Sequence, residues 1–327
     1  MNAPSTGKRQ LLIDTDTASD DAIALIMALR APEVEVVGIT VVAGNVPLEQ
    51  ATQNALYATE LCGSEVPVFS GAAEPMQGKL ETAQWFHGRD GLGDHGYAPS
   101  HRKPASETAV DAMIRVTSAH PGIELITLGP LTNVALALQR EPRLIENISR
   151  CVVMGGAPCC EGNVTPAAEF NIWVDPEAAQ IVFRSGLPIE MIGWQLSRGA
   201  AVVDEDEIEA ILGLGTSFAD FAVRCNSFAI EAYLTQTGER GICLPDPVAM
   251  SVLIEPALCR QSSKHYVEIE TASELTRGMT VVDRLNVAGD SRNTHVWEPA
   301  LRSNAKASIC WELEVPGWKA ALMRALQ

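Results

Sequence analysis

Four carboxylates stand within eight residues near the N-terminus, in Asp14-Thr15-Asp16-Thr17-Ala18-Ser19-Asp20-Asp21. The apolar run Leu11-Leu12-Ile13 precedes them, and the helical pattern Ala22 to Arg30 follows. On an extended backbone Asp14 and Asp16 face the same way. Asp20 and Asp21 fall in the first helical turn, about 100° apart around the axis. Carboxylates this dense repel one another unless a positive charge lies among them, and a hard cation with oxygen ligands, Ca2+ or Mg2+, is the natural neutraliser. The plainer alternative is that Ser19 or Asp20 caps the helix and the remaining acids are solvated turn residues.

The elements that must hold this cluster alternate along the first two-thirds of the chain. Strand patterns fall at Val34 to Val42, Val66 to Phe69, Ile123 to Leu128, Cys151 to Met154 and Pro188 to Ile192. Helical patterns lie between them at Leu48 to Leu61, Thr108 to Ala119, Leu131 to Gln139 and Pro176 to Ser185, and a long one runs from about Glu205 to Leu234. Apolar strands separated by helices indicate an α/β fold with a mainly parallel central sheet flanked by helices. Ligands of such sheets bind beyond the carboxyl ends of the strands, where the acidic cluster sits. Two stretches, 70–105 and 155–170, lack periodicity, and long irregular loops in compact domains tend to carry function. No linker or internal repeat divides the chain, so residues 1–327 are expected to form a single domain.

Composition narrows the classes. The 327 residues are 46% hydrophobic, enough for a sizeable core, and no apolar run approaches the roughly 18 residues of a membrane span. Lys and Arg number 24 against 41 Asp and Glu, and the net charge of −17 has the wrong sign for a nucleic-acid partner. Met1 to Gln10 is polar and lacks a secretory apolar core, which points to the cytoplasm. The eight cysteines form no CxxC pair, and the adjacent Cys159 and Cys160 are expected to be loop or core thiols.

Which cation chemistry the acids serve is narrowed by spacing. An EF-hand fails, because Ser19 holds the glycine position and Leu25 the closing glutamate position. A haloacid-dehalogenase-type phosphatase would use Asp14 and Asp16 on Mg2+, but Ala18 stands where that family has Thr or Val, and Asp20-Asp21 goes unexplained.

The cluster resembles the DxDxxxDD signature of the nucleoside hydrolases, the calcium-dependent N-ribohydrolases of inosine/uridine-preferring type. Further matches follow in order: Val41-Val42-Ala43-Gly44-Asn45 resembles VxGN, His87 to Gly93 resembles HGxxGLG, and Gly129 to Asn133 resembles GPLTN. Met154-Gly155-Gly156, Gly162-Asn163 and Ala168-Glu169-Phe170-Asn171 resemble the stretch MGG…GN…AEFN, and Asp246-Pro247 resembles the late DP. The resemblance implies a Rossmann-related core and hydrolysis of an N-ribosidic bond. It implies Ca2+ held by Asp16, Asp21, the carbonyl of Leu128 and Asp246, with Asp16 as general base for an inverting attack by water. It places Asp20, Asn45, Met154, Asn163, Glu169 and Asn171 at the ribose, and a homo-oligomer, dimer or tetramer, as the assembly.

The leaving group is where this chain departs. One branch of the family has a His directly before the DP that acts on the base, and another a Trp that stacks on purine; here Pro245 can do neither. His87 is the remaining candidate to stack on or protonate a base. Trp85, Trp194 and Tyr233 are candidates to shape the base pocket, Arg198 or Arg240 to donate into it, and Trp194-Gln195 also departs from the family pattern. A nucleoside- or ribose-binding protein on the same scaffold, its chemistry lost, is the non-enzymatic alternative. The partner in every case but the phosphatase is a small-molecule nucleoside or ribose.

Overall fold

In the computed structural model, which describes residues 7–238 and 240–327, nine strands make one continuous sheet. They are β1 (Arg9–Thr15), β2 (Val34–Val41), β3 (Val68–Ser70), β4 (Ile123–Thr127), β5 (Ile148–Met154), β6 (Ile189–Ile192), β7 (Cys259–Ile269), β8 (Thr280–Val282) and β9 (Lys306–Leu313). Their spatial order is β3-β2-β1-β4-β5-β6-β9-β7-β8. The first six strands and β9 run parallel, whereas β7 is antiparallel to β9 and β8 to β7. The expected α/β sheet is present, and its first six strands follow the doubly wound order 3-2-1-4-5-6. Of the polar N-terminal stretch, Met1 to Thr6 lie outside the described residues.

Strand residues alternate between two apolar layers. Leu11 and Ile13 join one core with the helices Ser19–Arg30, Leu48–Leu61, Pro245–Ile254 and Val315–Leu326. Leu12 joins the other with the helices Ala109–Ala119, Thr132–Arg140 and Pro176–Arg184. Helices Ser19–Arg30 and Pro245–Ile254 are buried on nearly every side and pack against each other. A helix apolar all round belongs in a core rather than at a surface.

Two local expectations change. The helical pattern over Glu205 to Leu234 is three helices, Glu205–Leu212, Ser217–Cys225 and Ser227–Thr237, broken near Gly213-Leu214-Gly215 and at Asn226. Periodicity persists across such breaks because each piece turns an apolar side to the same core. Ser19 does not cap its helix either: Ala18 is the N-cap, and Asp21 folds back so that its Oδ2 accepts the Ala18 amide at 3.0 Å.

The chain winds from β1 to β2 and β3, then crosses to β4 on the other side, so the switch point lies between β1 and β4. Asp14, in register with Thr40 and Thr127, braces this point from inside the sheet. Its Oδ1 accepts from Thr40 Oγ1 at 2.6 Å and from Asn133 Nδ2 at 2.9 Å. Asn133 also donates to the Val41 carbonyl, and its Oδ1 accepts the Ala72 amide. Truncating a buried group that serves several partners leaves each of them unsatisfied, at about 1–3 kcal/mol each. Asn133→Ala is therefore expected to lower the unfolding free energy by at least about 2 kcal/mol, read from the urea midpoint. An unmoved midpoint would show that this brace carries no stability.

Candidate active site

Beyond the carboxyl ends of β1 and β4 the sheet opens into a pocket of about 650 Å³, mouth included. Nine of the sequence-predicted site residues line it: Asp20, Asn45, His87, Leu128, Met154, Asn163, Glu169, Asn171 and Asp246. Asp16 and Asp21 lie fully buried behind that lining. The packing of helices Ser19–Arg30 and Pro245–Ile254 brings their N-termini together, and oxygens of Asp20, Asp21 and Asp246 fall within 4.8 Å of one another. Helix N-termini favour negative charge. Asp20, expected at the ribose alone, thus also lies within reach of a point that a cation would occupy.

Each acid is oriented by a short list of bonds. Asp21 Oδ1 accepts from Thr15 Oγ1 at 2.6 Å, and its Oδ2 accepts from Asn45 Nδ2 at 3.3 Å. Asp16 Oδ2 accepts the Asn45 amide at 2.6 Å, while its Oδ1 is buried without a hydrogen-bond partner, as is Asp20 Oδ1. Asp14 and Asp16, expected to face one way, have separate partners because the strand ends at Thr15. Asp14 is sealed into the sheet and lines no part of the pocket, so it is out of reach as a phosphatase nucleophile.

Burial, then the charge of Asp21, pushes the Asp16 carboxyl well above the usual range and that of Asp20 up to about 8. Burial, then the neighbouring Asp21, Asp20 and Asp16, does the same to Asp246. No Lys or Arg lines the pocket among the described residues. Four buried acids, two unpartnered oxygens and an all-oxygen donor set fit a hard divalent cation.

Around the acids the loops supply polar groups. Glu169 caps the helix Phe170–Val174, its oxygens accepting the amides of Gly156 at 2.7 Å and Asn171 at 3.0 Å. Asn171 Nδ2 donates to the carbonyl of Leu128 at 2.9 Å and contacts Met154 Sδ at 3.2 Å. Asn163 Oδ1 accepts the Phe170 amide at 2.9 Å. The expected loop over 70–105 contains one short helix, Gln84–His87, which sets His87 at the pocket wall. Burial depresses the imidazole to about 3, so the ring is neutral.

The far end is aromatic, with Trp85, Phe86, Phe170, Trp194 and Tyr233. Pro245 opens its helix and lines the pocket. Arg198 and Arg240 do not line it: Arg198 lies 4.9 Å from the Trp194 ring centroid and pairs with Glu161, while Arg240 pairs with Glu205 and Glu231. Phe86, Phe170, Cys243 and Gln236 line the pocket without having been singled out, since their roles depend on loops meeting across the mouth. All eight cysteines are free thiols, Cys159 exposed and Cys160 half-buried.

A doubly wound sheet with buried acids and a polar pocket at its switch point is an α/β scaffold with a candidate cation and ligand site, and comparison with known proteins supplies the class. Residues 11–308 match the model of the inosine-uridine preferring nucleoside hydrolases, and the chain belongs to that family. It is 38% identical over 310 residues to the probable uridine nucleosidase 1 of Oryza sativa subsp. japonica, covering 94% of this chain and 93% of that protein. It is 41% identical over 291 residues to the pyrimidine-specific ribonucleoside hydrolase RihA of Shewanella sp. (strain MR-7), covering 88% and 91% respectively. The solved plant nucleoside hydrolase PpNRh1 superposes with a TM-score of 0.90 at 29% identity, covering 98% of this chain and 99% of that one. The protein is a hydrolase of the N-glycosidic bond of ribonucleosides. Among the described residues no helix is long and apolar enough to cross a membrane.

Asp16 is wedged between two glycine turns. A Cβ on Gly44 would stand 2.1 Å from Asp16 Oδ2 and 2.7 Å from Pro130 Cδ, and one on Gly129 would stand 2.7 Å from Asp16 Oδ1. Displacing a reacting group by an ångström costs about 10²-fold. Gly44→Ala is expected to cut kcat/KM for ribose release by about that factor with its circular dichroism spectrum intact. A rate within about twofold of the parent would show that Asp16 need not be held so tightly.

Proposed function

We propose that the pocket hydrolyses ribonucleosides, pyrimidine ribonucleosides foremost, to ribose and free base with Ca2+ as the resident ion. Asp16, Asp21, Asp246 and the Leu128 carbonyl would hold the ion. The observation that carries this reading is the group of four buried acids that retains two unpartnered oxygens, with no Lys or Arg lining the pocket among the described residues. The names of the rice and Shewanella relatives support the pyrimidine preference.

When bound, such an ion would neutralise the acids and lower the pKa of a nearby water. The chain's own groups do the rest. Asp16 Oδ1, buried and unpartnered, takes the proton as the water oxygen attacks the anomeric carbon. Asp20 and Asn171 pair with ribose hydroxyls, and the carboxylates of Asp20 and Glu169 face the positive charge that gathers on the sugar ring. Asn45 and Asn163 tie the surrounding loops into place through the bonds described above, and Met154 packs on the sugar face. Attack from one side and departure from the other inverts the anomeric carbon, as in inverting glycosidases. His87 and the aromatic end receive the base. The resemblance also implies a dimer or tetramer.

Dialysis against a chelator, assayed with uridine, cytidine, inosine and adenosine, is expected to abolish ribose release, and Ca2+ to restore it. Full activity without metal would refute the reading. Asp16→Asn should lower kcat by at least about 10²-fold, since base catalysis is worth about 10²–10⁴; a near-normal rate would remove Asp16 from the base role.

Stability should respond to pH as well. A carboxyl whose folded pKa lies above its unfolded value of about 3.9 stabilises the fold while protonated, and that contribution is lost as pH rises. In metal-free protein, stability should therefore fall between pH about 4 and the value of about 8 for Asp20. Saturating Ca2+ should flatten the profile of melting temperature against pH; a profile indifferent to Ca2+ would count against the site.

A further inference from the structure

Ser19 is the first residue of its helix, fully buried, and its Oγ lies 2.8 Å from His87 Nδ1. The bond joins two segments 68 residues apart. His87 Nδ1 also lies 3.9 Å from Asp20 Oδ1, beyond hydrogen-bond distance, so what Ser19 Oγ can reach sets the sense of the bond. No other hydrogen bond involves Ser19 Oγ among the described residues, so if Nδ1 carried the proton the hydroxyl hydrogen of this fully buried side chain would be left without a partner. A buried donor left without an acceptor is unfavourable. The satisfied arrangement has the hydroxyl donating to the Nδ1 lone pair. A neutral imidazole has one N–H, which then sits on Nε2.

His87 Nε2 has no hydrogen-bond partner among the described residues, yet it is not among the buried atoms shut away from solvent, and the ring lines the pocket. Its N–H therefore opens into the cavity. Two other nitrogen donors at this end are committed, Trp194 Nε1 to the Glu161 carbonyl and Gln236 Nε2 to the Asn163 carbonyl, while Trp85 stands half-exposed at the rim. Pro245 has nothing to donate.

We infer that Ser19 is a positioning residue for the leaving group, fixing His87 as the tautomer whose Nε2–H donates a hydrogen bond to the departing heterocycle. The inference rests on the hydrolytic reading above. As the bond from C1′ to nitrogen breaks, its electron pair goes to the heterocycle, where the Nε2–H bond stabilises the developing negative charge. The water oxygen bonds to C1′, its proton goes to Asp16, and the heterocycle takes its own proton from solvent on release. A neutral imidazole serves here as a hydrogen-bond donor and keeps its proton.

The test compares uridine with 4-nitrophenyl β-D-ribofuranoside, whose leaving group departs as a stable anion. Ser19→Ala should lower kcat on uridine by at least about tenfold, with little change in KM, and lower the rate on the nitrophenyl riboside by no more than about twofold. Ser19→Thr should recover most of the uridine rate, and His87→Ala should show the same split as Ser19→Ala. Equal losses on both substrates, or none on either, overturn the inference. If His87→Ala shows no split, the donor role falls and that of Ser19 with it. Failure of the parent enzyme to release ribose from either compound would instead refute the hydrolytic reading. On the unmutated protein, long-range proton–nitrogen correlation should show His87 protonated at Nε2, and protonation at Nδ1 overturns the inference without any variant.

Discussion

Most of the site follows from one uncomfortable placement: four carboxylates, Asp16, Asp20, Asp21 and Asp246, are buried within reach of one another. Isolated buried charge costs more than a domain of this size has to spare. The fold offsets part of that cost by setting Asp20, Asp21 and Asp246 in the first turns of two helices that pack side by side, where backbone amides point at them. Thr15, Ala18 and Asn45 contribute further donors. What remains unmatched, the buried oxygens of Asp16 and Asp20, is the part that a divalent cation and a substrate would satisfy.

The doubly wound sheet explains why such a cluster can exist at all. At the switch point the chain leaves β1 in one direction and returns at β4 from the other, so no crossover covers the gap. Loops after β1, β2, β4 and β5 meet there with the N-terminus of Pro245–Ile254, and each contributes a polar group. Rigid elements hold the acids, while the part of the pocket proposed to receive the base is lined from the short helix Gln84–His87 and from Ser227–Thr237 at the rim.

How much of this was legible in the sequence depended on whether the signal was local. The parallel strands were, because their apolar runs sit between helical patterns, and helix Leu48–Leu61 has the bounds its pattern predicts. The residues proposed for the ribose could be named only because ordered motifs resemble a known family; nothing in the spacing of Asn163 and Asp246 says that they line one pocket. Local periodicity misled at Asp14 and Asp16, since two-residue alternation stops where β1 stops. It misled again over Glu205 to Leu234, where three helices share one apolar side. Arg198 and Arg240 were plausible donors by charge alone, but acids nearby hold both of them outside the lining. The pairing of Ser19 with His87 was invisible, being a contact between distant segments with no pattern to mark it.

With their pKa values raised by burial and by one another, the clustered acids are expected to hold protons in the metal-free protein and to release them when a cation binds. Binding of a divalent cation to such ligands must release protons. Calorimetric titration of Ca2+ into metal-free protein at pH 7, repeated in buffers of different ionisation enthalpy, counts them directly. Saturable binding with release of at least about one proton per Ca2+ is expected. Binding without proton release, or no binding at all, would contradict it.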